Sequence, residues 1–306
     1  MIHVTRGLEK RSMKRLGKEV TFVGFGALEI GRNWGLGSGT EVERPDEAGA
    51  SEVLNGVLDA GINLIDTASA YHRSEERIGL FVSDRRNEYI LASKCGEHNN
   101  EPHTYYDFTY KAVKESIDQS LIKLKTDIID IMQIHFGPDP EEVLNRGETV
   151  AAMKDARKEG KIRFLGASID GGLATRCIRS GDFDVMQMAY SLLDQGNKEN
   201  IRLAHDKGMG VFIRSGLAAG KLTKRVIPHL GSDFPEKEKV KKLLVLVDGD
   251  GDRLTELALN FLYNEPGVSS VLAGSKSLSH IKQNLELLAR PLDQSLLDRA
   301  LAIVNE

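Results

Sequence analysis

Four side chains of complementary type stand at or just beyond the ends of successive apolar runs. Asp66 closes "NLID", Tyr71 follows five residues later in "TASAYHRSEERIG", Lys94 closes "YILASK" and His135 closes "IIDIMQIH". An isolated phenol titrates near pH ~10 and an isolated Asp near ~4, so a phenol needs help to exchange protons at neutral pH. If the runs ending on Asp66 and Lys94 are neighbouring strands about 5 Å apart, the two side chains can form an ion pair. A lysine held beside Tyr71 favours tyrosinate and lowers the phenol toward the working pH. Tyr71 could then protonate a carbonyl oxygen as it becomes an alkoxide, while His135 hydrogen-bonds the same oxygen. What the four residues lack is a nucleophile or a set of metal ligands. It polarises a carbonyl for an outside attack, and hydride from a nicotinamide meets that need. Each residue also has a plainer reading, as a turn cap, as half-buried packing or as a solvated loop edge. Finding four such types at consecutive run ends is what favours chemistry.

The elements that must position them alternate regularly. Eight strand candidates cover 21–27, 62–67, 89–94, 128–135, 162–168, 184–190, 210–215 and 268–274. Most are continuously apolar, as in strands buried on both faces of a parallel sheet. Helical patterns lie between them. "TYKAVKESIDQSLIKLK" sets Val113, Ile117, Leu121 and Leu124 on one face. Gly61 is a C′ glycine after "EAGASEVLNGVLDA", and Ser74 is a candidate N-cap for "SEERIGLFVS". Strand–helix alternation implies parallel strands with right-handed crossovers, and eight units favour a closed (β/α)8 TIM barrel over an open sheet. "GFGALEIG" lacks the third glycine and the opening helix of a dinucleotide-binding Rossmann turn. No low-complexity stretch interrupts the pattern, so residues 1–306 are expected to form one domain. Two connections are long, 29–47 and 217–253; with 96–107 they are expected to shape a substrate pocket at the strand C-terminal ends.

Composition excludes several function classes. With 41% apolar and 28% charged residues, the chain has a soluble globular profile. A net charge of −4 gives no reason to expect nucleic acid or an anionic membrane as partner. The basic N-terminal stretch lacks the apolar region of a signal peptide, and the longest apolar run is "LLVLV" at 243–247. Cys95 and Cys177 are too few for a disulfide framework or a zinc site, so a reducing cytoplasm is the expected location. "DGDGDR" at 248–253 has Arg253 and Leu259 where a calcium loop needs Gly and Glu, and reads as a solvated loop. Trp34, His72, Tyr105 and Tyr106 are candidates for the pocket lining or for surface packing, and Cys95 for a small buried side chain. No helix face is conspicuously apolar beyond core needs, so an oligomeric state is not read from the sequence.

From "FVGFGALEIG" to "VLAGSKSLSHIKQNLEL" the chain resembles the aldo-keto reductases. "NLIDTASAYHRSEERIG" is similar to that family's Asp-Thr-Ala-x-x-Tyr signature with its Ser-Glu tail. The resemblance implies a (β/α)8 barrel that reduces aldehydes or ketones with NAD(P)H, and Asp66, Tyr71, Lys94 and His135 as its catalytic tetrad. It implies Ser168 and Gln187 at the nicotinamide carboxamide. It places Ser215, Gly216, Leu217, Gly220 and Lys221 in a loop over the pyrophosphate. Gly274, Ser275, Lys276 and Ser277 fall near the adenosine ribose, with Gln283 and Asn284 at adenine. Three positions depart from the family pattern. Ile169 replaces an Asn, Arg214 replaces a stacking aromatic, and His280 replaces an Arg at the 2′-phosphate. Asp170 is a possible substitute for the missing Asn, and a guanidinium can stack on a ring or reach a phosphate. Lys276 with two serines favours NADP(H) over NAD(H). Two alternatives stay open: a cofactor-binding sensor of the same fold, and an aldolase using Lys94 as a Schiff-base lysine.

Overall fold

The computed structural model describes residues 6–34, 43–291 and 293–306. Part of the 29–47 connection and the first five residues of the N-terminal stretch lie outside the described residues. Eight strands form the closed barrel: β1 (Val23–Gly26), β2 (Leu64–Asp66), β3 (Ile90–Cys95), β4 (Ile129–His135), β5 (Ile162–Ser168), β6 (Val185–Ala189), β7 (Gly210–Arg214) and β8 (Ser270–Gly274). Every strand pairs in parallel with its sequence neighbours, and β8 returns to β1 with Gly274 opposite Gly26. Each expected run therefore contains a barrel strand.

Strand alternation sorts side chains by height inside the barrel. Leu64, Ala92, Ile131, Val185 and Phe212 make an apolar lower layer. One step up the same strands, two residues further on, stand Asp66, Lys94, Gln133 and Gln187, all buried. His135 is two residues above Gln133, at the mouth. Gly166 faces Gln133: a Cβ there would lie 2.7 Å from the glutamine Cγ, so this polar layer needs the missing side chain. A larger apolar shell joins the outward faces of the strands to the helices. In the helix Tyr110–Leu124, capped by Thr109, Val113, Ile117 and Leu124 are buried and Leu121 packs against the core, as the spacing predicts.

Two antiparallel hairpins lie outside the expected strand set. Lys10–Met13 pairs with Lys18–Thr21 and plugs the lower end of the barrel with Met13, Leu16 and Val20. Glu97–Asn100 pairs with His103–Tyr106 immediately after β3, within what reads in sequence as a loop. The 217–253 connection is also structured, with two short 3-10 turns and a helix at Lys237–Leu246. "DGDGDR" is not only a solvated loop, since Asp250 caps the helix Gly251–Tyr263 by accepting from the Asp252 and Arg253 amides. Ser74 does not act as the expected side-chain cap, and Ser277, which precedes the helix Leu278–Ala289, makes no side-chain cap either. Ser74 is the first helical residue of Ser74–Phe81, and its hydroxyl donates to the Ala27 carbonyl and meets Thr67 Oγ1 instead. Ser277 spends its hydroxyl on Ser279. Gly61 does end its helix in the left-handed conformation, at φ 92°.

Candidate active site

Lys94 is fully buried below the barrel mouth. Its Nζ donates to Asp66 Oδ2 at 2.5 Å and to the Thr67 carbonyl at 2.8 Å. The other carboxylate oxygen of Asp66 accepts from Gln133 Nε2 at 2.8 Å and Gln187 Nε2 at 3.0 Å. A buried ion pair persists only when its remaining hydrogen-bonding capacity is met, and these two amides help to meet it. Burial alone would lower the lysine, but Asp66 and Tyr71 outweigh it, and its pKa is raised. The ammonium lies 4.9 Å from the centre of the Tyr71 ring, and the His135 ring meets Tyr71 edge-on with centroids 5.9 Å apart. Sequence spacing brings these four groups together as expected.

The acidity of Tyr71 is the correction. Burial raises its pKa, Lys94 pulls it down, and Asp66 and Glu97 push it up again, so the net shift is upward rather than toward neutrality. Desolvation disfavours the phenolate more than one lysine favours it, because that lysine's charge is already shared with Asp66. Tyr71 is therefore a phenol at neutral pH, the form that can give a proton.

Close backbone approach fixes the Tyr71 loop. A Cβ on Gly31 would stand 2.1 Å from the Tyr71 carbonyl oxygen and 2.5 Å from the Ser74 nitrogen. Arg77, on the helix after Tyr71, donates to the Ile30 carbonyl and to Glu47, tying the two loops together. Ser69 donates to the carbonyls of Lys94 and Glu97, joining the loop to β3 and to the hairpin.

A cavity of about 440 Å³ opens above this layer. Asp66, Tyr71, His135, Trp34 and Phe136 line one end of it; Ser168, Gln187, Arg214, Ser215, Gly216, Leu217 and Gly220 lead along it; Gly274, Ser275, His280, Gln283 and Asn284 line the other end. Ser168 Oγ lies 3.1 Å from Gln187 Oε1. Ser215, Ala218 and Ala219 all adopt positive φ (57°, 50° and 54°), a backbone usually left to glycine. Strain of about 1–3 kcal/mol per residue survives where surroundings enforce it, commonly around ligands. A Cβ on Gly216 would meet Leu262 and Val271 within 3 Å.

Several expected residues stand back from the cavity lining. Lys221 Nζ pairs with Glu236 at 2.6 Å, and Lys276 Nζ donates to the Glu43 carbonyl at 3.0 Å. Ser277, His72, Tyr105 and Tyr106 are also absent from the lining. Asp170 is already committed: it accepts from the Ala189 amide and Asn197, both at 2.8 Å, and pairs with Arg214. Other residues belong to the site without having been singled out in the sequence. Gln133 holds Asp66, Glu97 stands 2.9 Å from His135 Nδ1, and Arg225 contacts His280 Nδ1 at 3.3 Å beside Glu29. Gln133 has a readable signal, two positions before His135 and hence on the same inward face. Arg225 and Glu97 have none, because their segments carry no periodic pattern. Among the described residues no group of three or more His, Cys, Asp or Glu is arranged to hold a metal, and no helix is long and apolar enough to cross a membrane.

The chain's similarities point the same way as its geometry. Residues 23–304 match the Aldo/keto reductase family. L-galactose dehydrogenase of Arabidopsis thaliana is 30% identical, with 97% of this chain and 95% of that protein covered. A protein of Bacillus subtilis named Uncharacterized oxidoreductase YqkF is 28% identical over 91% of this chain and 90% of its own length. The aldo-keto reductase AKR11C1 from Bacillus halodurans, in its holo form, superposes with a TM-score of 0.81 at 28% identity, covering 97% of this chain and 96% of that one. With the match spanning nearly the whole barrel, the chain belongs to the aldo/keto reductase family, oxidoreductases that act on carbonyl or alcohol groups with nicotinamide cofactors.

Proposed function

We propose that the protein is a carbonyl reductase using NADP(H) in preference to NAD(H), with Tyr71 as proton donor. The observation that carries this reading is the buried Asp66–Lys94 pair beneath the Tyr71 ring, with His135 beside it at the mouth of one cavity. The residues along that cavity fit a dinucleotide. Ser168 and Gln187 would hold the carboxamide end, and the strained 215–220 turn with its small residues would follow the pyrophosphate. Arg225 and His280, with Gln283 and Asn284, would take the adenosine end. When bound, the reduced nicotinamide supplies hydride to the carbonyl carbon.

The chain's own residues do the rest. His135 hydrogen-bonds the carbonyl oxygen and fixes its position above Tyr71. As the oxygen gains charge, the Tyr71 hydroxyl gives it a proton, a downhill transfer from a phenol to an alkoxide. Lys94 stabilises the phenolate left behind, and Asp66, held by Gln133 and Gln187, keeps the lysine charged. That same pairing argues against a Schiff-base role, since an amine whose pKa is raised is a poor nucleophile at neutral pH. Relatives named L-galactose dehydrogenase and D-threo-aldose 1-dehydrogenase support a small hydroxylated carbonyl or its alcohol as substrate. One domain, residues 1–306, would carry the whole reaction, and two buried free cysteines fit a reducing cytoplasm.

A basic adenosine end supports the NADP(H) preference, although one relative is named an NADH-specific methylglyoxal reductase. Trp34 is the single tryptophan and lines the cavity, so its fluorescence reports binding there. Titration is expected to show tighter NADPH than NADH binding, with consumption of reduced cofactor on adding small aldehydes. Arg225→Ala is expected to weaken NADPH by about tenfold and leave NADH within about twofold, the worth of one charge-assisted hydrogen bond. Equal loss for both cofactors would remove Arg225 from the phosphate, and no binding of either would overturn the reading.

A further inference from the structure

Glu29 stands where the first barrel strand runs out. It belongs to the short helical turn Leu28–Gly31 after β1. Its Oε1 lies against Gly274 of β8, 3.6 Å from where a Cβ would stand on that glycine. The residue is 9% exposed and lines the cavity, at the end that also holds Arg225, Ser275 and His280. Arg225, in the 3-10 turn Lys224–His229, approaches Oε1 only to 4.0 Å, beyond hydrogen-bond range. Oε2 is buried and has no hydrogen-bond partner among the described residues. A carboxylate buried with so few close partners is costly, and burial raises the Glu29 pKa more than Arg225 and Lys276 lower it. Those two cations are also the ones that a phosphate at this end would draw on. Arg225 reaches His280 Nδ1 at 3.3 Å, and Lys276 is lowered by burial, with Glu29 opposing that shift and Arg225 adding to it.

We propose that Glu29 is a specificity-determining residue of the cofactor site, a carboxylate that opposes phosphate beside Arg225 and so weakens NADPH more than NADH. The proposal rests on the reading of this cavity end as the one that takes the 2′-phosphate. NADPH and NADH share the pyrophosphate and differ in that phosphate alone, so a charge next to Arg225 separates them. Arg225, Lys276 and His280 set the direction of the preference, and Glu29 limits its size. The opposition needs the carboxylate charged, so it grows as pH rises. A phosphate brought near raises the Glu29 carboxyl further, and NADPH binding takes up a proton there between the free and loaded values. The charged groups facing Glu29 are Arg225 from the turn after β7 and Lys276 from the segment after β8. His280 contacts Arg225 from the helix Leu278–Ala289, while Lys224 and Asp252 pair with each other at 3.5 Å. On the remaining sides Arg77 is spent on Glu47 and the Ile30 carbonyl, and Asp66 on Lys94.

Isothermal titration calorimetry of the full chain with NADPH and with NADH, for wild type and Glu29→Gln, tests this directly. The substitution keeps the shape of the side chain and removes its charge. At pH ~8 the variant is expected to bind NADPH about tenfold more tightly than wild type, and NADH no more than about threefold more tightly. Toward pH ~5 the gap is expected to close, because wild-type Glu29 is then neutral as well. Titrations in buffers of different ionisation heat count protons, and Glu29→Gln is expected to take up fewer than wild type on binding NADPH near pH ~7. His280 and the 2′-phosphate titrate in both proteins, so the difference belongs to Glu29. Unchanged or weaker NADPH binding by Glu29→Gln, or equal tightening of both cofactors, overturns the proposal. Binding of neither cofactor by wild type removes the cofactor reading and the proposal with it, whereas normal binding by wild type that Glu29→Gln leaves untouched removes the proposal alone.

Discussion

Removing Lys94 separates the charge arrangement from the shape of the site. Lys94→Met keeps most of the side-chain volume but leaves the Asp66 carboxylate buried, 3% exposed, without its cation. Breaking a buried pair from one side costs about 3–5 kcal/mol. Asp66 Oδ1 would still accept from Gln133 and Gln187, which puts the expected loss near the lower limit, about 3 kcal/mol. With an unfolding entropy of about 2.1 cal/mol/K per residue, a chain of 306 residues would lose about 5 °C in Tm. Asp66→Asn strands the lysine instead, and a similar loss is expected. The double variant Asp66→Asn/Lys94→Met contains no uncompensated charge, so its loss should fall short of the two single losses taken together by about 2 kcal/mol. Urea denaturation followed by circular dichroism gives all three values. Additivity within about 0.5 kcal/mol would mean that the two groups do not interact as an ion pair, and the account of how Lys94 stays charged would be wrong.

Other expectations follow from close approach and from burial. Gly31→Ala pushes a methyl into the Tyr71 carbonyl, where backbone cannot yield; it should cost about 1–3 kcal/mol in stability and lower kcat far more than it changes cofactor affinity. Unchanged kcat would show that Tyr71 is not held from that side. Glu75, buried on the helix after Tyr71, accepts from Ser93 at 2.6 Å, and desolvation raises its carboxyl against help from Ser93, Ser120, Lys123 and Lys94. A raised folded value means that its stabilising contribution is complete below the unfolded carboxyl range and is lost as pH climbs through the folded value. Glu75→Gln fixes the neutral form, so it should be more stable than wild type by on the order of 1 kcal/mol near pH ~8, with the gap closing near pH ~4. Thermal melts across that range would count against the reading if the gap stayed constant.

The barrel was legible because buried parallel strands leave continuous apolar runs, and because Asp66, Tyr71, Lys94 and His135 end or follow those runs. The depth at which they sit was not legible. Spacing sets Tyr71 against one lysine, whereas burial and two carboxylates also act on it. Hairpin 97–106 is mostly polar and short, so nothing in its pattern distinguishes strand from loop, and Glu97 was hidden with it. Arg225 lies in a 3-10 turn of the long connection after β7, where no hydrophobic period exists to locate it. Ser74 and Ser277 have the right chemistry for caps, but the Ser74 hydroxyl goes to the distant Ala27 carbonyl and the Ser277 hydroxyl to its near neighbour Ser279.

The most direct test of the central claim is turnover by Tyr71→Phe, measured alongside NADPH binding through Trp34 fluorescence. Losing one hydroxyl leaves the ring, its contact with Lys94 and the cavity wall in place. The account predicts unchanged cofactor affinity and a rate lower by about 10²–10⁴-fold. Wild-type turnover in this variant would contradict it, because among the described residues of that layer no other group is a phenol poised to give the proton.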